Sequence, residues 1–189
     1  YETVKAKTGI EIINIPMQEL LDEIKEIPMP NPEELVAKAP NDNIKKALPI
    51  AEQIYLALKV IIKKYDLNGF TLRCFDLLTA VKNTGCLALA KFNSEGVIAT
   101  CEGDVPAMLS MAITNSLASV SGFQANPAHI NPTSGEMLFA HCTIPFNMIE
   151  RFEFDTHFES GIGVGIRGYM KNGPVTIFKV SGNLSRHFA

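Results

Sequence analysis

The stretch that decides the fold is Val97-Ile-Ala-Thr-Cys-Glu-Gly-Asp-Val-Pro-Ala-Met-Leu109, in which an apolar run leads through an acidic turn into a second apolar segment. Its first five residues begin with β-branched side chains and predict a strand. Pro106 suits the first turn of a helix, which we predict over 105–120. The same order occurs upstream, where 70–75 predicts a strand and 76–82 a helix. Strands that alternate with helices favour parallel pairing, so we predict an α/β fold with a partial parallel sheet.

The pattern changes after Gly122. Strand-like segments at 136–141, 151–157 and 174–180 are separated by turn residues, and no helical pattern lies between them. Several short strands of this kind predict a small all-β, barrel-like domain, which we place at residues 125–189.

The beginning of the chain is expected to close a different domain. A β-branched run at 9–15 predicts a buried strand, and the apolar spacing over 16–27 predicts a helix. A lone strand and helix cannot bury their apolar faces, so we assign 1–30 to the end of an upstream α/β domain plus a Pro-rich linker. The middle α/β domain then covers 31–124 and starts with a long helix, predicted from helical spacing over 44–65. Since the chain also lacks an initial Met, we expect a piece of a longer protein.

Composition excludes several classes of protein. Hydrophobic residues make up 47% and charged residues 20%, as in a folded globular domain. The net charge is −3 and basic residues form no run, so nucleic acid is not an expected partner. Apolar stretches stay shorter than the roughly 18 residues of a membrane span, so no membrane partner is expected either. The four cysteines have no CxxC spacing and no signal peptide is evident, which favours a cytoplasmic protein with reduced thiols.

Acidic and imidazole side chains stand where predicted elements end, the place where open α/β sheets present ligands. Asp76 follows the first strand of the sheet, and Glu102 and Asp104 follow the second. His141 and His157 each close a strand of the β domain. Such groups, drawn from several segments, suit a divalent metal ion. The alternative is structural: Asp104 is a favourable N-cap, and a histidine in a β domain often serves only in hydrogen bonds.

One glycine motif does not support cofactor binding. Gly163-Val-Gly-Ile-Arg-Gly168 matches the GxGxxG pattern of dinucleotide-binding loops. That pattern needs a helix after it, whereas here an Asn-Gly turn leads into the strand predicted at 174–180. We therefore assign these glycines to a β loop.

Five segments resemble the L-fucose and L-arabinose isomerase superfamily, in the order in which they occur there. The stretch 9–21 resembles the strand and helix that end the family's N-terminal domain. The segments Arg73-Cys-Phe-Asp-Leu-Leu78 and Ala99–Leu109 resemble its two acidic metal-binding segments. Residues 154–163 and Gly173-Pro-Val-Thr-Ile177 are similar to its histidine-then-glycine loop and the strand that follows.

The resemblance implies a metal-dependent aldose–ketose sugar isomerase, of which this chain is the C-terminal portion. In that family an acidic pair and a histidine hold Mn²⁺ or another divalent ion, and carboxylates move a proton through an enediol. By position, Asp76 and Asp104 are the acidic pair, as metal ligands and as catalytic acid and base, with Glu102 close by. The histidine ligand is His157 by the L-arabinose isomerase pattern, and His141 is the alternative. The implied partners are a sugar, the family's N-terminal domain and further copies of the chain in a homo-oligomer.

Two other classes of function stay open. A non-catalytic sugar-binding or regulatory relative is one, because Ser134 stands where another family pattern has a ligand histidine. The other is an interaction domain with a structural zinc ion at His141, Cys142 and His157, since thiols beside a metal ion lose their protons and bind it.

Overall fold

A computed structural model describes residues 1–181, residue 184 and the backbone of residues 186–188. The helices are α1 (Glu2–Thr8), α2 (Met17–Glu26), α3 (Glu33–Val36), α4 (Asp42–Tyr65), α5 (Cys74–Ala80), α6 (Cys86–Ser94) and α7 (Val105–Ala118). The strands are β1 (Gly69–Leu72), β2 (Ile98–Cys101), β3 (Asn126–Asn131), β4 (Glu136–Ala140), β5 (Arg151–Asp155), β6 (Gly165–Tyr169), β7 (Lys179–Ser181) and β8 (Arg186–Phe188). The α/β class predicted from the sequence is confirmed.

The parallel pair at the centre of the fold is β1 with β2. Their register places Leu72 opposite Cys101, so both strands end at the same edge. β1 is shorter than predicted: it ends at Leu72 rather than Phe75, and α5 starts at Cys74. The strand ends there because the carbonyl of Leu72 accepts the amide of Gly103, in the loop after β2, at 3.3 Å. Arg73 is then the N-cap residue of α5.

Helix α6 was not predicted. Cys86 to Ala90, Phe92 and Asn93 are all buried, so this helix lacks the polar face on which helical periodicity depends. The Asn93 side chain ties the helix to the sheet: its amide donates to the carbonyls of Leu89 (3.0 Å) and Ala99 (2.6 Å), and its oxygen accepts the Ala99 amide (2.9 Å). The position of β2 therefore depends on one buried polar side chain.

The long helix α4 spans the middle of the molecule, as the apolar spacing predicted. Asn41 caps its first turn by accepting the amide of Ile44 at 3.0 Å, and Pro49 lies inside the helix without ending it. Its buried face packs against α2, α6 and the parallel pair in one apolar cluster, which includes Leu20, Ile54 and Phe92.

The strand predicted at 9–15 does not form among the described residues. α1 precedes this segment and ends at Gly9, whose φ of 74° closes the helix in the left-handed region. The segment itself is irregular up to Pro16. A strand needs a neighbour for its N–H and C=O groups, and none of the described strands lies beside this run.

The β part consists of strand pairs. β3 pairs with β4, β5 with β6, and β7 with β8, all antiparallel, and within the described residues these pairs do not join into a closed barrel. Two predicted strands are confirmed in shorter form as β4 and β5, whereas the one predicted at 174–180 is limited to β7. β3 and β6 were missed, because the first is exposed and contains Pro127 and the second is rich in glycine.

As predicted, the GxGxxG glycines do not lead into a helix within the described residues, but Gly165 and Gly168 lie in strand β6 and not in the β loop to which they were assigned. A Cβ on Gly168 would lie 2.6 Å from Cγ2 of Ile149, so the close approach of the two segments requires glycine there.

A second apolar cluster crosses the predicted limit between residues 124 and 125. Ile44, Leu48 and Leu87 come from the helical part, and Phe154 and Ile166 come from the β5–β6 pair. The two parts share this buried surface, and the division into domains at 30/31 and 124/125 stays a prediction.

Among the described helices, none combines the length and the apolar character that crossing a membrane would require.

Candidate functional site

The two acidic segments leave the same edge of the β1–β2 pair. We call this the acidic edge, and its carboxylates are Asp76, Glu102 and Asp104. Asp76 lies in the first turn of α5, just after β1, and Glu102 and Asp104 lie between β2 and α7. Parallel strands carry their C-terminal ends to one edge, which is where α/β folds bind ligands. The shared edge confirms the topological part of the prediction, while the roles of these acids in catalysis and metal binding stay predictions.

Arg73 connects the two segments. Its Nε lies 3.4 Å from Oδ2 of Asp76. A Cβ on Gly103 would lie 3.3 Å from Cγ of Arg73, so the arginine stem runs across the loop after β2. Most of the side chain is exposed, which leaves the guanidinium open to a solute. Arg73 stands in the first acidic motif, but no role was predicted for it, because its contact with the second segment depends on the fold.

Asp104 is the N-cap of α7, as the structural alternative proposed. Its Oδ1 accepts the amide of Ala107 at 2.8 Å, and its Oδ2 lies 3.2 Å from Nζ of Lys179. Both carboxylate oxygens are therefore engaged, one by a helix end and one by an ammonium group.

Glu102 differs from its neighbour. Its side chain is exposed and has no hydrogen bond or ion pair with the described residues. Its backbone φ is 66° and that of Gly103 is 69°, so two successive residues are left-handed. A non-glycine residue in this region is strained, and strain of this kind concentrates at functional sites. Glu102 is thus the carboxylate of the second segment that remains available to a ligand.

His157 lies apart from these acids. It is 7% exposed and follows β5, where its Nδ1 lies 2.9 Å from Oγ of Ser160. The described chain brings it together with Cys86 and Cys142, and the three possible ligand atoms lie within 4.8 Å of one another. Among the described residues, Asp76, Asp104 and His157 form no such group, so the predicted three-ligand set is not assembled. The link to the acidic edge is Phe75, whose ring centroid is 5.9 Å from that of His157.

His141 does not belong to the group formed by Cys86, Cys142 and His157. Its Nδ1 lies 2.9 Å from Oγ1 of Thr143. Burial, together with the nearby His157, lowers the pKa of His141 to about 4, so its imidazole is neutral at neutral pH. The ligand group that the sequence suggested for zinc, with His141, is therefore corrected: Cys86 takes that place.

All four cysteines are free thiols, as expected. Their sulfur atoms lie close together two by two. The sulfur atoms of Cys74 and Cys101 are 2.9 Å apart, and those of Cys86 and Cys142 are 3.1 Å apart. The hydrogen bond from Cys142 lowers the pKa of the Cys86 thiol, and the same contact raises the pKa of Cys142. No ligand role was predicted for Cys86, because α6, which it starts, was not predicted.

Comparison with protein-family models finds no match for this chain. Proteins named sulfoquinovose isomerase are similar to it. Those of Priestia aryabhattai and Priestia megaterium are 25% identical over 192 residues, which covers 95% of this chain and 43% of each relative. That of Alkalicoccus urumqiensis is 25% identical over 134 residues, covering 68% of this chain and 30% of the relative. The chain thus spans less than half the length of the curated relatives it matches.

Membership of the L-fucose and L-arabinose isomerase superfamily stays a prediction.

Proposed function

We propose that this chain is part of an aldose–ketose isomerase that acts on a sugar. The observation that carries the proposal is the similarity to two sulfoquinovose isomerases over 95% of the chain. The acidic edge of the parallel pair supplies the chemistry. The substrate is an aldose, for which the relatives suggest sulfoquinovose and the sequence resemblance suggests L-fucose or L-arabinose.

The reaction requires groups that accept and return protons. Converting an aldose to a ketose moves one proton from C2 to C1 and one from O2 to O1, through an enediol. Glu102 is the carboxylate best placed to take the C2 proton, because it is exposed and unpaired among the described residues. Asp76, held by Arg73, is the second acid of this edge. Each proton-transfer role of this kind contributes about 10²–10⁴-fold to the rate.

Asp104 has a different role in this proposal. Because its two oxygens hold the start of α7 and Lys179, it fixes the loop that presents Glu102. If Asp104 is itself an acid–base group, as the sequence resemblance implies, Asp104→Asn should abolish turnover.

The predicted Mn²⁺ ion fits this edge only in part. Exposed carboxylates such as Asp76 and Glu102 are suitable ligands for it. The imidazole that should complete the set lies among thiols, so the described chain does not offer the full predicted group. A divalent ion bound at this edge would polarise the carbonyl and hydroxyl oxygens of the sugar. A homo-oligomer and an N-terminal domain remain predicted partners.

The test uses the product of the complete gene beside the 189-residue chain. Each is incubated with sulfoquinovose, L-fucose or L-arabinose, with Mn²⁺ or with a chelator, and the ketose is followed by NMR. We expect the gene product to isomerise one of these sugars and the 189-residue chain to do so slowly or not at all. Turnover of none of the sugars by the gene product contradicts the proposal, and binding without turnover supports the non-catalytic alternative.

Four variants separate the roles of the acids. We expect Glu102→Gln and Asp76→Asn to lower kcat by about 10²-fold or more with an unchanged fold. Asp104→Asn retains a side chain that can cap α7 and should lower kcat less than either. Glu34→Gln changes an exposed glutamate of α3 and serves as the control. If Asp104→Asn abolishes turnover while Glu102→Gln does not, the assignment of the two residues is reversed.

A further inference from the structure

A buried group of thiol and imidazole side chains lies outside the acidic edge. Cys86 is the first residue of α6 and fully buried, Cys142 follows β4, and His157 follows β5. Cys142 is fixed beside β6, because its carbonyl accepts the Ile166 amide at 3.0 Å. The three side chains thus come from three separate elements that the fold brings together.

The spacing of the group suits a small thiophilic cation. Its ligand atoms lie within 4.8 Å of one another, and the two sulfur atoms are 3.1 Å apart. With Zn–S bonds of about 2.3 Å, two thiolates on a tetrahedral zinc ion lie roughly 3.8 Å apart. A shift of about 0.7 Å between the sulfur atoms would therefore admit the ion. Two thiolates and an imidazole are a ligand set that zinc takes in proteins.

Ser160 holds the imidazole in a suitable orientation. Its Oγ lies 2.9 Å from Nδ1 of His157. The turn is closed by two backbone bonds, from the His157 amide to Ile162 at 3.0 Å and from the Gly161 amide to His157 at 2.8 Å. The backbone amide of Ser160 also donates to Nδ1, at 3.3 Å, so binding of a metal ion at Nε2 would move the ring proton to Nδ1, where Oγ of Ser160 can accept it. Histidine ligands in proteins are held in this way by a partner on the other ring nitrogen.

Thr84 adds a second observation at the same place. Its hydroxyl is buried and has no hydrogen bond of ordinary geometry among the described residues. It stands two residues before Cys86 and packs against Gly163, where a Cβ would lie 2.7 Å from its Oγ1. A metal-bound thiolate at Cys86 would give this buried hydroxyl an acceptor.

We propose that Cys86, Cys142 and His157 form a binding site for a thiophilic divalent ion, Zn²⁺ in the first instance. No fourth histidine, cysteine or acidic ligand atom of the described chain joins the group. The fourth position of a tetrahedral ion would therefore be filled by a group other than these side chains.

The site is separate from the proposed isomerase chemistry. It uses sulfur and nitrogen ligands, whereas the acidic edge offers the oxygen ligands that Mn²⁺ and Mg²⁺ prefer. Zinc binding can therefore be measured on the 189-residue chain without any sugar, and failure of one proposal leaves the other intact.

The experiment measures zinc binding to the reduced chain by competition with a chromogenic chelator and by metal analysis after gel filtration. We expect one zinc ion per chain. Cys86→Ser and His157→Gln should each weaken binding by more than about 100-fold, and Ser160→Ala by about 10–100-fold, the usual effect of losing an outer partner. Cys101→Ser removes a buried thiol of the other pair and is the matched control that should retain zinc.

Cobalt provides a measurement that needs no variant. Co²⁺ added to the reduced wild-type chain should give the thiolate-to-metal charge-transfer bands of a tetrahedral site. The proposal is overturned if these bands are absent, if wild type binds no zinc, or if Cys86→Ser binds it as tightly as Cys101→Ser. It is also overturned by a Cys86–Cys142 disulfide that persists in reducing buffer.

Discussion

Replacing Glu102 by glycine should stabilise the protein while removing the carboxylate that we propose accepts the C2 proton. The left-handed φ of 66° at Glu102 costs an L-residue roughly 1–2 kcal/mol, which glycine does not lose. Glycine gives up about 0.5–1 kcal/mol of this gain through the larger entropy of its unfolded chain. Since the Glu102 side chain has no partner among the described residues, little else is lost. The net expectation is a gain of about 0.5–1 kcal/mol in the free energy of unfolding.

The measurement is urea unfolding of the 189-residue chain, followed by circular dichroism. A higher midpoint with an unchanged slope indicates a change of stability alone. For a chain of this size the same gain raises Tm by about 2 °C. Activity of the complete gene product with Glu102→Gly should fall as it does with Glu102→Gln.

Two controls test the physical reason. Lys82→Gly replaces another exposed residue with positive φ, 50°, and should also stabilise the chain. Lys46→Gly lies within α4, where glycine costs about 1 kcal/mol, and should destabilise it. If Lys82→Gly stabilises and Glu102→Gly destabilises by more than about 0.5 kcal/mol, the Glu102 side chain makes interactions that this reasoning omits.

Two further substitutions test buried contacts of the fold, and each is measured by the free energy of unfolding in urea. Asn93→Ala removes three buried hydrogen bonds and should lower the free energy of unfolding by about 3 kcal/mol. Asn147→Ala changes an exposed asparagine and should lower it by less than about 1 kcal/mol. Equal effects would contradict the role given to Asn93. Gly163→Ala places a Cβ 2.7–2.9 Å from Thr84 at a φ of 72° and should cost about 2 kcal/mol or more; a neutral effect would show that this turn adapts freely.

Local sequence predicted those parts of the fold whose signals are local. The amphipathic α4, the capped α7 and the β2 strand follow from spacing and cap residues within one segment. The run at 9–15 shows the limit of such signals. Its composition suits a strand, but a strand forms only with a partner, and the described strands provide none beside it.

The candidate site likewise has a part that the sequence predicted and a part that it did not. Asp76, Glu102 and Asp104 were found from the sequence because each follows a predicted strand, and parallel strands end at one edge. The capping contact of Asp104 with Ala107 was among the alternatives read from the sequence, whereas its contact with Lys179, 75 positions away, was not.

By itself, then, the sequence determined the α/β class, the positions of most helices and the acidic edge, because strand ends and helix caps are read from neighbouring residues. The sequence offered His157 both to the carboxylates and to Cys142, and the tertiary structure alone decided that it groups with Cys142 and that Cys86 joins them. Cys86 and Cys142 stand 71 and 15 positions away from His157 along the chain. Their meeting depends on α6, a largely buried helix without periodicity, and on the antiparallel pair β5–β6. Contacts of that range are set by how separate elements pack, and no local pattern encodes them.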